Sequence, residues 1–339
     1  SSRGCAESAA GARLLSAGAE HAKHRPHAGS RVTPPKKTAM FSPFDPFRWA
    51  LAHGRHLDLG PRGILMAIVN VTPDSFSDGG RFDSADAAVA RAILCLEEGA
   101  EIIDIGGEST RPGAASVSAA EEQDRILPVI EALAGTTDAI ISVDTYRAQT
   151  ARLAVAAGAH IVNDVHGLQR EPDIAEVAAQ SGAGLCIMHT GRDREKRPDV
   201  VEDQYLFLGR SLEIAGAAGV PREAMVLDPG FGFAKDTDEN LELMARFGEL
   251  RGFELPLLAG TSRKRFLGAL TAREAAEDRD VGTAATTALL RMAGAAVFRV
   301  HDVAINRDAL AVADAMLSAR RTVAAREAHG ETPARQDTP

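Results

Sequence analysis

The sequence predicts an α/β protein, a single-domain (β/α)8 or TIM barrel with disordered N- and C-terminal tails. Short apolar runs alternate with longer stretches of helical periodicity, the form taken by a parallel sheet with crossover helices. Eight such β-α pairs fall within about 250 residues, which suits a closed barrel better than an open doubly wound sheet. Seven of the eight runs also carry polar side chains of one set at or just beside their C-terminal ends, and a barrel gathers its chemistry at the C-terminal ends of its strands.

Residues 1–39 hold seven Lys/Arg against two acids and no apolar periodicity. They are expected to be a disordered or non-native extension ahead of Met40, with a transit peptide as the alternative. Phe41 to Gly63 is a short lead-in whose Phe44, Phe47 and Trp49 are placed on the bottom of the barrel. The strands are expected at Ile64–Asn70, Glu101–Ile105, Ala139–Asp144, Ala159–Asn163, Ala183–His189, Ala224–Asp228, Pro256–Gly260 and Ala295–Val300. Apolar residues recur at three and four in Ser84–Glu98, Ala119–Leu133, Tyr146–Ala157, Val200–Ala218 and Thr283–Ala293, as helices require. Gly99, Gly158 and Gly219 follow helices where a left-handed cap is wanted. The barrel domain is therefore set at 40–321, and the polar residues 322–339 at a disordered tail.

Composition bounds the function. The chain has 339 residues, 45% hydrophobic content and a formal charge of -9, which argues against general nucleic-acid or membrane-surface binding. No apolar run reaches the roughly 18 residues of a membrane span. Cys5, Cys95 and Cys186 are scattered, so neither a disulfide framework nor a zinc cluster is suggested, and a cytoplasmic location is the default.

Asp104 sits at the end of a strand that is apolar on both faces, and a carboxylate there is costly unless a ligand or cation meets it. Asn70, Asp144, Asn163, Asp228, Ser262 with Lys264, and Arg299 with His301 hold the same position on other strands. Each alone has a structural alternative: Asn70, Asn163 or Asp228 could fix a turn, and His301 could be a satisfied core residue. Together they read as a bipartite site. Carboxylates and amides suit the N–H-rich edge of a heterocycle, while Arg263, Lys264, Arg299 and His301 place positive charge where barrels commonly hold phosphate. Asn70 can offer an oxygen to Mg2+, which keeps waters and bridges substrate phosphates. The loops Val71–Gly80 and Ser109–Ser116 are rich in Gly, Pro and hydroxyl groups and could serve as lids. Gly230-Phe-Gly-Phe233 lacks the spacing of a dinucleotide loop; Phe231 and Phe233 wall a flat substrate or cover the barrel mouth.

Five blocks resemble dihydropteroate synthase over most of Ile64–Val303. They are Val69-Asn-Val-Thr-Pro-Asp-Ser-Phe-Ser-Asp-Gly79, Asp104-Ile-Gly-Gly-Glu-Ser-Thr-Arg-Pro-Gly113, Ser142-Val-Asp-Thr145 with Ile161-Val-Asn-Asp164, Asp228-Pro-Gly-Phe-Gly-Phe233, and Gly260-Thr-Ser-Arg-Lys264 with Arg299-Val-His-Asp-Val303. The resemblance implies a transferase of folate synthesis that joins 6-hydroxymethyl-7,8-dihydropterin diphosphate to p-aminobenzoate with release of pyrophosphate. It implies that Asp104, Asp144, Asn163, Asp228 and Lys264 bind the pterin, and that Asn70, Thr110, Arg111, Arg299 and His301 bind the diphosphate, with Asn70 on Mg2+. Ser262, Phe233, Pro73 and Pro112 would receive the arylamine, and Arg111, Lys264, Arg299 and His301 would be catalytic. A homodimer and sensitivity to sulfonamides are implied in the same way.

The sequence departs from that pattern at Met188-His-Thr-Gly-Arg-Asp-Arg194, where the family often reads Met-His-x-x-Gly-x-Pro, at Ala234, which replaces a usual Gly, and in residues 1–39. A corrinoid methyltransferase with a similar pterin pocket is the nearest rival. It has no diphosphate to bind, so Arg111, Arg299 and His301 speak against it. A non-catalytic pterin-binding paralogue is the rival from another class.

Overall fold

The computed structural model describes residues 42–72, 81–109 and 116–328. The chain enters as a β-hairpin, β1 (Phe47–Ala50) with β2 (His56–Leu59), paired antiparallel from Phe47 opposite Leu59 to Ala50 opposite His56. Parallel strands follow: β3 (Ile64–Asn70), β4 (Ile102–Gly106), β5 (Ile140–Asp144), β6 (Ile161–Asp164), β7 (Gly184–Met188), β8 (Met225–Asp228), β9 (Leu258–Ala259) and β10 (Val297–Val300). They form one eight-stranded sheet in the order β8-β7-β6-β5-β4-β3-β10-β9. A parallel bridge from Leu227 to Leu257 joins its two ends, so the expected barrel is present.

The helices are α1 (Arg81–Glu98), α2 (Ala119–Thr136), α3 (Ala148–Ala156), α4 (Asp173–Ser181), α5 (Val200–Ala217), α6 (Thr237–Ala245), α7 (Arg265–Thr271), α8 (Asp280–Ala293) and α9 (Val303–Ala328). The three cap glycines adopt positive φ, from 88° at Gly219 to 119° at Gly158.

The side-chain period of two divides each strand between two cores. Ile103 and Ile105 point outward into the large core beneath the helices. Ile102 points inward, in a layer with Met66, Ile140, Ile161, Cys186, Val226, Leu258 and Val297. Trp49, Leu51 and Leu59 of the hairpin close this layer from below. Trp49 is fully buried, and its indole N–H donates to the carbonyl of Ala224 at 3.0 Å. Truncating a plug of this kind to alanine costs about 3–5 kcal/mol. Two residues further along, the inward row turns polar on five of these strands. Ile102 is followed by Asp104, Ile140 by Ser142, Ile161 by Asn163, Val226 by Asp228 and Val297 by Arg299. The apolar floor and the polar mouth are thus one pattern read along the same strands.

Some boundaries differ from expectation. The lead-in is the hairpin, and α4, α6, α7 and α9 occupy stretches without an assigned helix. The seventh strand is only Leu258–Ala259. α9 continues to Ala328, past the boundary expected at residue 321, because Ala, Arg and Glu are strong helix formers even where no apolar face is needed, and residues 329–339 of the expected tail lie outside the described residues. Residues 1–39, including the expected extension, lie outside the described residues.

Candidate active site

Arg299 organises the centre. From the end of β10 its Nε donates to Asp104 Oδ2 at 2.6 Å and its Nη2 to Asp144 Oδ2 at 2.7 Å, spanning β4 and β5. Asn163 on β6 donates from Nδ2 to the same Asp104 oxygen at 3.1 Å. Asp104 Oδ1 and Ser142 Oγ are buried and have no hydrogen-bond partner among the described residues. A buried carboxylate oxygen left in that state costs about 1–3 kcal/mol or more, so the site is built for a donor that binds there.

Burial pushes the Asp144 carboxyl up to about 7, with Arg299 opposing and Asp104 reinforcing the shift. Although burial works against it, the same two carboxylates raise the pKa of Arg299 and keep it charged.

Asp228 at the end of β8 has two jobs. Its Oδ1 accepts from the backbone N–H of Gly230 at 2.7 Å, which fixes the turn after Pro229. Burial raises its pKa, and Lys264 is the main opposing influence. Gly230 has φ +65°, and a Cβ there would lie 1.9 Å from the carbonyl oxygen of His189, so this turn admits only glycine. Ala234, where the resemblance expects Gly, holds φ 50° with a side chain attached, a mildly strained conformation.

Lys264, just before α7, donates to the carbonyl of Phe231. Its Nζ lies 4.6 Å from the centre of the Phe233 ring. Burial pulls its pKa down to about 8, with Asp228 opposing. Ser262 Oγ lies 2.9 Å from His301 Nδ1 and accepts from the His301 backbone N–H at 3.1 Å.

Asn70, Asp144, Phe233, Ser262, Lys264, Arg299 and His301 line a single cavity of about 710 Å³ at the C-terminal ends of the strands. Asp104, Asn163 and Asp228 are joined to it through Arg299 and Lys264. Of the other expected residues, Pro73, Thr110, Arg111 and Pro112 lie outside the described residues. Phe231 is a core residue stacked on Phe247, so Phe233 alone of the pair reaches the cavity. The Arg263 fork is occupied by Asp280, at 2.8 and 2.7 Å.

Sequence reasoning missed Lys235 and Arg192, both on the cavity wall. Lys235 Nζ lies 2.9 Å from the carbonyl oxygen of Gly230 and 2.9 Å from His189 Nδ1. Burial pulls its pKa down to about 7, with Lys264 adding to the shift. The signal available for Arg192 was the departure of its loop from the family pattern.

The family profile described as pterin binding enzyme matches residues 66–301. The chain is 43% identical over 275 residues to the dihydropteroate synthase of Escherichia coli K12, covering 79% of this chain and 96% of that one. It is similar to the Xanthomonas albilineans dihydropteroate synthase solved with 4-aminobenzoic acid, at TM-score 0.75 and 43% identity over 80% of this chain and 98% of that one. The Yersinia pestis dihydropteroate synthase solved with a sulfonamide drug gives TM-score 0.73 and 43% identity over 79% and 98%.

Proposed function

The chain belongs to the dihydropteroate synthase family of pterin binding enzymes, and on that premise we propose that it joins 6-hydroxymethyl-7,8-dihydropterin diphosphate to p-aminobenzoate, giving 7,8-dihydropteroate and pyrophosphate. The observation that carries this reading is the unpartnered Asp104 Oδ1, buried beside Ser142, Asn163 and Asp144. It asks for the ring N–H groups of a flat, donor-rich heterocycle. Asp228 offers a second acceptor for the amidine-like edge, and Lys264 a donor for a ring carbonyl or nitrogen.

The reaction is a displacement in which pyrophosphate departs before the amine attacks. The electron-rich pterin spreads the positive charge left on its methylene carbon, so the protein need only hold the ring and draw off the leaving group. Arg299 and His301, with Thr110 and Arg111, meet the charge that develops on the departing oxygens. Ser262 and Phe233, with Pro73 and Pro112, receive the arylamine, which needs little further activation.

Among the described residues no group of three His, Cys, Asp or Glu could cage a metal. The donor set instead fits Mg2+ held chiefly by the substrate diphosphate, with the Asn70 oxygen as the protein ligand. Bound there, the ion would neutralise charge on the leaving group. A homodimer is consistent with Leu289, Val312 and Met316 standing exposed on α8 and α9, and sedimentation velocity tests it. The free, buried Cys95 and Cys186 fit a reducing cytoplasm, and no helix among the described residues is long and apolar enough to cross a membrane.

Incubation with the dihydropterin diphosphate, Mg2+ and p-aminobenzoate should yield dihydropteroate and pyrophosphate in equal amounts. Absence of both products, with the pterin bound unchanged, would leave the non-catalytic pterin-binding reading in its place.

A further inference from the structure

The loop between β7 and α5 is held on both sides. Arg194 Nη1 and Nη2 donate to Asp203 Oδ1 and Oδ2 at 2.9 and 2.5 Å, and the backbone N–H of Arg197 donates to Asp203 Oδ1 at 2.8 Å. On the other side, Lys196 Nζ reaches the carbonyl of Ala234 at 2.8 Å and Glu239 Oε1 at 2.5 Å. The Gly191 N–H donates to the carbonyl of Phe233 at 3.3 Å. A Cβ at Gly191 would fall 2.7 Å from Lys196 Cδ and 3.1 Å from the Ala234 carbonyl, so the loop sits directly on the chain that carries Phe233.

The residue this arrangement delivers is Arg192. It lines the cavity, and its guanidinium carbon lies 4.6 Å from the centre of the Phe233 ring, the ring on which Lys264 also rests. A fork-shaped cation is thereby placed along the face of the aromatic wall, where it matches a carboxylate on a ring lying beside Phe233.

Other cations that line the cavity have defined positions of their own. Arg299 is shared between Asp104 and Asp144, Arg263 is paired with Asp280, Lys264 faces Asp228, Lys235 donates to the Gly230 carbonyl, and Arg279 donates to the carbonyls of Arg263 and Arg273. Arg265 also lines the cavity but is exposed, where water screens a charge. Arg192 is half-buried, and burial lowers its pKa with only partial offset from Asp193. A partly desolvated cation gains most from an incoming anion.

We propose that Arg192 is a specificity-determining residue that recognises the carboxylate of the arylamine substrate. This rests on the synthase reading, and it assigns the loop that departs from the family pattern to the selection of an anionic arylamine over a neutral one.

The test compares p-aminobenzoate with p-aminobenzamide, which keeps the ring and amine but carries no charge, in wild type, Arg192→Ala, Arg192→Gln and Arg265→Ala. Arg192→Ala and Arg192→Gln should each raise KM for p-aminobenzoate by roughly tenfold or more. KM for p-aminobenzamide and for the pterin diphosphate should stay near wild type, as should the melting temperature. Equal losses for both amines would overturn the proposal, as would a rise confined to the pterin diphosphate or a loss of charge preference in Arg265→Ala alone. Calorimetric binding of the two amines in the presence of pyrophosphate and Mg2+ reads the same preference without turnover. A wild type that discriminates in binding but makes no dihydropteroate would thus count against the synthase reading and not against Arg192.

Discussion

Arg299→Met keeps the aliphatic stem of Arg299 and removes the fork that Asp104 and Asp144 share. Asp104 is 0% exposed, Asp144 7% and the Arg299 side chain 19%, so little water can replace the lost contacts. Removing one partner from a buried ion pair costs about 3–5 kcal/mol, since it leaves uncompensated charge. At about 2 °C per kcal/mol for a domain of this size, melting should fall by roughly 6–10 °C. The loss should depend on pH. The Asp144 pKa in the folded state is about 7, against an ordinary 3.8, so between these values the native protein holds a proton that the unfolded chain has released. Its contribution is fully present below 3.8 and is lost as pH rises through about 7. Without Arg299, which holds that pKa down, the Asp144 carboxyl should take up a proton more readily, and the deficit should shrink towards acidity. Thermal melts of wild type and variant at about pH 6 and about pH 8 provide the comparison. An undiminished melting temperature at the higher pH, or a deficit that grows on acidification, would refute the shared-fork reasoning.

Other outcomes follow from the same geometry. Asp104→Asn replaces an acceptor oxygen with a donor, so calorimetry should show pterin affinity falling far more than pyrophosphate affinity. Lys264 has its pKa drawn down to about 8 by burial first and by Arg299 and Arg192 next, so its charge is lost above that pH. KM for the pterin diphosphate should climb above about pH 8 in wild type and lose that limb in Lys264→Met, while an unaltered profile in the variant would remove Lys264 from pterin binding. A sulfonamide should bind at least ~10-fold more tightly with pyrophosphate and Mg2+ present, a coupling of about 1.4 kcal/mol or more, because Asn70, Thr110 and Arg111 would draw their loops over the arylamine pocket. Equal affinities in the two titrations would mean that the pocket is preformed.

The barrel was legible because its strands repeat one device. Where Ile102 precedes Asp104 and Val226 precedes Asp228 at spacing two, the apolar residue must face the floor and the acid the mouth, whatever the rest of the chain does. The hairpin was harder to read. Its strands are four residues each, and Trp49 shows its purpose only when the inward layer it seals has been assembled. The α6 helix did carry a local sign, since Asp236 and Glu239 form a capping box. That sign was overshadowed by the glycines just before it.

The site divides along the same line. That Asp104, Asp144 and Arg299 stand at strand ends follows from periodicity, but the fork that Arg299 shares between two carboxylates depends on β4, β5 and β10 meeting across the barrel, a relation between segments 155 and 195 residues apart. Arg192 is the sharper case. In the sequence it opens a charged run through Asp199 whose ordinary reading is a solvated loop. It becomes a candidate ligand residue only because Asp203 and Glu239, on two different helices, fix that run against the chain beside Phe233. The loop's departure from the family pattern can therefore be a change in what meets the arylamine, while the carboxylates and amides on the strands beneath it stay as the family has them.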